Sequence, residues 1–194
     1  MRARHALLTA GAAACAATVA GVAAWGAAPT RSVVARDAAR DVAAAPDLTR
    51  LALRRVSGGK VRASLTLAGP WKARSLRART GPPGSLCVRL WTVSDPPDTG
   101  PDHLVCATVR ADGKRLRGSV LRQRPNQLPE RVAGAKVTRP STRTLRLFFA
   151  EAAIGRPAAL EAAAEATRAG CTAIECVDTA PDAPGTVRLR LHRP

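Results

Sequence analysis

From residue 47 onward, most of the chain is built of short stretches in which every second residue is apolar. Thr49, Leu51 and Leu53 alternate with Arg50, Ala52 and Arg54, and Val61, Ala63, Leu65 and Leu67 alternate with Arg62, Ser64 and Thr66. The period recurs at Leu86, Val88 and Leu90, at His103, Val105, Ala107 and Val109, and at Leu116, Gly118 and Val120. It returns at Leu145, Leu147 and Phe149, and at Val187, Leu189 and Leu191. A period of two is that of a strand with one face in a core and the other in water. Weaker strands are expected near residues 72–79 and 131–139. Tight turns such as Ser57-Gly58-Gly59 and Ala111-Asp112-Gly113-Lys114 join neighbouring segments. About eight or nine short strands predict an all-β fold, an antiparallel two-sheet β-sandwich. The apolar set of each segment, from Leu51 through Val187 and Leu189, is its expected core.

Residues 158–169 fit two elements. Their Ala, Leu and Glu content, with Pro157 ahead and Gly170 behind, favours a short helix. Leu160, Ala162, Ala164 and Ala166 also fall on alternate positions, as in a strand. Both readings stay open.

Upstream the texture changes. Met1 to His5 is a short basic start, Ala6 to Trp25 carries no charge, and the small residues Gly26-Ala27-Ala28 follow. That order is a secretory signal, so residues 1–28 are expected to be a leader and the protein to be extracellular. The alternative is an uncleaved N-terminal helix that serves as an anchor. Residues 29–46, rich in Ala, Arg and Asp, read as a flexible linker, and residues 47–194 as the β-sandwich domain.

With Cys15 lost in the leader, Cys87, Cys106, Cys171 and Cys176 remain. In an exported chain they predict two disulfides. If the strands around Val88 and Val105 form a hairpin that pairs these two residues, Cys87 falls opposite Cys106. Cys171 and Cys176 then close a short loop of their own.

Charge adds a feature the alternation does not explain. Lys+Arg is 31 against 14 Asp+Glu, a net +17, and removal of Arg2 and Arg4 with the leader leaves about +15. Only Lys60, Lys72, Lys114 and Lys136 are lysines. Arg50, Arg54, Arg62, Arg146, Arg188 and Arg190 occupy the polar positions of strands, where they could attract a polyanion. GC-rich coding and ordinary solvated faces are the favoured account of these arginines, and a polyanion surface the alternative.

Three short motifs carry a resemblance. Asp47-Leu48-Thr49-Arg50 opens the first strand, Ile154-Gly155-Arg156-Pro157 precedes the ambiguous segment, and Asp178-Thr179-Ala180-Pro181-Asp182 precedes the last strand. Over residues 47–194 the chain resembles uncharacterised secreted β-sandwich domains of high-GC bacteria, with a DOMON-like or family 9 carbohydrate-binding-module-like topology. The resemblance implies that the segment after Pro157 is a strand. It also implies haem or sugar as ligand, and neither transfers well. Met1 is the only methionine, which leaves His103 and His192 without a Met partner in the domain. Stacking on a sugar would fall to Trp71 and Trp91, which sit on separate segments.

Catalytic motifs are missing from the sequence: no Gly-x-Ser-x-Gly, phosphate loop, His-Glu-x-x-His or EF-hand occurs. Of two acidic clusters, Asp95, Asp98 and Asp102 lie in a loop, and Glu175, Asp178 and Asp182 are the slightly better calcium candidates. Turn formation explains both clusters. The expectation is a non-enzymatic exported module without cofactor or metal. Its partner would be an anionic cell-surface polymer or polysaccharide, nucleic acid being the least expected polyanion. The alternatives are a structural module without ligand and a hydrolase that uses the acidic loops.

Overall fold

The computed structural model describes residues 32–39, 46–92, 100–173 and 176–192, so the expected leader lies outside it. The described residues form eleven strands: β1 (Ser32–Arg36), β2 (Leu48–Val56), β3 (Lys60–Leu67), β4 (Ser85–Trp91), β5 (His103–Val109), β6 (Leu116–Arg122), β7 (Glu130–Thr138), β8 (Thr144–Ala150), β9 (Ala159–Thr167), β10 (Val177–Ala180) and β11 (Val187–Arg190). Every pairing is antiparallel. The strands follow one hydrogen-bonded path, β1-β2-β3-β8-β7-β6-β5-β4-β9-β10, with β11 also on β9. The all-β, antiparallel class is as expected. Ten strands lie on one path and β11 branches from β9, more strands than the eight or nine read from the sequence, and the continuous path does not itself divide into the two sheets of a sandwich.

The path stays continuous because β7 serves both halves. Glu130–Ala135 pairs with β6 and Lys136–Thr138 with β8. The inward residues at this corner are small: Ala107, Gly118 and Ala135 stand in register. A Cβ on Gly118 would strike the Ala135 carbonyl oxygen and a Val137 methyl, so the close approach of β6 and β7 requires glycine there. At the opposite margin β1 lies against β11 and β2 against β10, which makes the sheet nearly a barrel. Across that margin the Leu48 N–H donates to the carboxylate of Asp178 at 2.5 Å.

The core follows the alternation. Leu51, Leu53, Val61, Leu65, Val88, Leu90, Val105, Leu145 and Leu147 are fully buried, whereas Val187 is only partly covered. Each fully buried side chain of this kind stabilises the fold by roughly 1.5–3 kcal/mol.

Three local expectations are corrected or settled. Ser32–Arg36, inside the stretch read as linker, is an edge strand on β2, with Ala35 buried. The segment near 72–79 is not a strand: Ala73–Leu76 forms a 3₁₀ turn whose buried residues, Ala73 and Leu76, are three apart, the 3₁₀ repeat. Residues 159–167 are a strand, β9, flanked by β4 on one side and by β10 and β11 on the other. Three strands between them pair with β9 along its whole length, so tertiary pairing overrides the helical propensity of alanine.

The disulfides pair as the hairpin register requires. Val88 faces Val105 and Cys87 faces Cys106, with Cα atoms 4.0 Å apart in that bridge. Cys171 and Cys176 pair across 6.1 Å.

Candidate functional site

The outward residues of β1, β2, β3, β8 and the end of β7 share one face. Their register sets Arg36 opposite Arg50, Arg54 opposite Arg62, and Ser64 opposite Arg146. Lys136 follows beyond Phe148. Four of the six arginines singled out in the sequence, Arg50, Arg54, Arg62 and Arg146, therefore gather here, and Arg36 and Lys136 join them. The fold places them so because each alternates with a core residue: Leu51 and Leu53 on β2, Val61 and Ala63 on β3, Leu145 and Leu147 on β8.

Like charges directly opposite one another destabilise a strand pair. This face carries two such pairs, and no salt bridge among the described residues relieves Arg36, Arg50, Arg54, Arg62, Arg146 or Lys136. Burial, then Arg146, then Arg54 hold the Arg62 guanidinium below the usual arginine range. The Nε atoms of Arg62 and Arg146 are buried without a hydrogen-bond partner. An anion laid on this face would supply the missing opposite charge. Guanidinium forks suit phosphate and carboxylate oxygens, which they bind bidentately.

Arg188 and Arg190 are not on the strands that carry this set. They lie on β11 across the margin, and Arg188 is paired with Glu161 at 3.6 Å. Sequence alternation gives the face of a strand but not its place in the sheet, so it could not separate them from the other four.

Neither tryptophan offers an open stacking face. Trp71 is 8% exposed, with Arg139 over its ring at 4.3 Å, and Trp91 is 5% exposed, with Arg89 over its ring at 5.2 Å. Trp91 borders a cleft of 150 Å³ beneath Pro181, Ala183 and Pro184. Beside it, burial pushes the Glu165 carboxyl up against the opposing pull of Arg89, 3.8 Å away.

The acidic candidates fall into structural places. Asp178 is buried and receives the Leu48 N–H, Asp182 accepts the Gly185 N–H through its carbonyl oxygen at 2.7 Å, and Glu175 lies outside the described residues, as do Asp95 and Asp98. Asp102 accepts the Thr92 N–H at 3.1 Å and the Thr92 hydroxyl, with His103 Nδ1 at 3.4 Å. Burial pushes its carboxyl up, but His103 and Thr92 outweigh that effect and hold it below the usual range. No group of three or more His, Cys, Asp or Glu among the described residues is placed to hold a metal ion. No helix among them is long and apolar enough to cross a membrane.

Sequence reasoning missed a second basic region. Lys72, Arg74, Arg77, Arg79 and Arg168 line a cleft of 1420 Å³ beside Trp71. Most of these residues sit in a loop with no period to read. The one available signal was four cations within residues 72–79.

Comparison with known proteins finds no matching family model, no similar curated protein and no similar solved structure.

Proposed function

We propose that this protein is an exported, non-enzymatic binding module whose curled sheet acts as a two-leaved sandwich and holds an anionic cell-surface polymer on its arginine face. The observation that carries the reading is the cluster of Arg54, Arg62 and Arg146: neighbouring strands, like charge, and no carboxylate partner among the described residues. Self-repulsion of this kind costs stability in the free protein and is relieved by a bound polyanion. The paired cysteines and the leader-like N-terminus support an oxidising, extracellular setting. The resemblance to secreted DOMON-like and family 9 carbohydrate-binding-module-like domains agrees with export but supplies no ligand.

The test is equilibrium binding of the purified chain to polyphosphate, polygalacturonate and neutral dextran at low salt. The reading expects binding to one or both charged polymers and none to dextran. Equal binding to all three, or binding to none, would overturn it.

A further inference from the structure

Arg74 lies within the Ala73–Leu76 turn and Arg77 directly after it, and the core grips this turn from below. Leu76 is fully buried and Ala73 nearly so, and the Gly84 N–H donates to the Leu76 carbonyl at 3.0 Å. Trp71 is fixed from the other side: its N–H donates to Thr142 at 3.0 Å, and Arg139 donates to its carbonyl at 2.5 Å. The opposite wall carries Arg168, whose N–H donates to the Cys176 carbonyl at 2.9 Å, so the Cys171–Cys176 bridge closes the loop behind it. Next to it, the Gly170 N–H donates to Pro82 at 2.8 Å, which ties the two walls together.

Five exposed cations, Lys72, Arg74, Arg77, Arg79 and Arg168, thus stand on braced backbone around one cleft, against a single lining carboxylate, Asp47. None of them forms a salt bridge among the described residues. Like charges converging on a concave surface add their potentials, and a fixed backbone lowers the ordering cost of a ligand. The 1420 Å³ of space exceeds the roughly 300–1,000 Å³ of small-molecule sites, so one phosphate would leave most of it empty. Trp71, which lines the cleft, keeps its Nε1–H as a buried donor with no hydrogen-bond partner.

We infer that this cleft binds a short, multiply charged oligomer: several phosphate or carboxylate groups carried in a row, engaged by Lys72, Arg74, Arg77, Arg79 and Arg168. The inference does not rest on the arginine face, which lies on other residues and is altered separately in the test.

Calorimetric titration of the full chain with tripolyphosphate, trigalacturonate and orthophosphate tests it. Two variants are compared with the wild type, R74Q/R77Q/R168Q in the cleft and R54Q/R62Q/R146Q on the sheet face, each checked for an unchanged far-ultraviolet circular dichroism spectrum and melting temperature. The expected result is one trimer per chain, bound at least 10-fold more weakly by the cleft variant and within about 2-fold of wild type by the face variant. Orthophosphate should bind at least 10-fold more weakly than the better trimer, and the better trimer names the charged group. Wild-type affinity in the cleft variant, equal losses in the two variants, or orthophosphate binding as tightly as the trimers would overturn the inference.

Discussion

Arg54 on β2 and Arg62 on β3 stand directly opposite each other, two like charges in the register of a cross-strand pair. Such a pair works against folding. Replacing Arg54 with Thr, a good strand former, should leave the fold as stable as before or raise it by up to about 0.5 kcal/mol in urea denaturation. Affinity for an anionic polymer should fall in the same variant. A fall in stability by more than about 1 kcal/mol would mean that the arginine supports the sheet instead of serving a partner.

The two disulfides should differ in worth. Cys87 and Cys106 are 19 residues apart, Cys171 and Cys176 only 5. In the chain-entropy account, closure of the first loop stabilises by about 3 kcal/mol and of the second by about 2. Cys87→Ala/Cys106→Ala should therefore lower the urea midpoint further than Cys171→Ala/Cys176→Ala. The reverse order would show that native packing, not loop closure, dominates.

At the end of the sheet formed by β8 and the Glu151–Ile154 3₁₀ turn, Glu151 is buried and meets Arg55 Nε at 2.7 Å and His192 Nε2 at 3.1 Å. Removing Arg55 would leave a buried carboxylate with an exposed histidine as its remaining partner. Arg55→Ala should cost about 3 kcal/mol, and Arg55→Ala/Glu151→Gln together should cost less than that. Denaturant melts of the two variants at pH 7 read the difference directly.

Glu165 and Asp102 give the stability opposite slopes in pH. Burial raises the folded-state pKa of Glu165 above its ordinary value of 4.5. Its contribution is therefore present below that value and is lost as pH rises through the folded pKa. Asp102 is held below 3.8, so its contribution is present above that value and is lost as pH falls through its folded pKa. Glu165→Gln should match the wild type near pH 3 and exceed it at pH 7 in thermal melts. A difference independent of pH would place the cost of Glu165 in packing.

Much of this architecture is legible in the alternation. Leu145, Leu147 and Phe149 set β8, and the Cys87–Cys106 hairpin follows from the pairing of Val88 with Val105. The edge strand β1 is not legible, because Val33 and Val34 are adjacent apolar residues and only Ala35 is buried. Strand β9 is ambiguous for a chemical reason: alanine is the best helix former, yet Ala162, Ala164 and Ala166 suit a tightly packed inner face of a strand. The arginine face is half legible. Alternation turns Arg50, Arg54, Arg62 and Arg146 outward, but only the order of the strands shows that they are neighbours and that Arg188 is not among them. The basic cleft is assembled from a loop and the residue after β9, a juxtaposition with no sequence period to announce it.

The proposed polymer binding is tested most directly by the salt dependence of affinity, measured for wild type and R54Q/R62Q/R146Q against the charged polymer that binds better. Each phosphate-like contact releases counterions, so log affinity should fall linearly with log salt. The wild type should give a steep line, and the variant a shallower one, with a slope reduced by roughly the contribution of three contacts and weaker binding at low salt. Identical slopes and affinities for the two proteins would contradict the assignment of the arginine face as the binding surface.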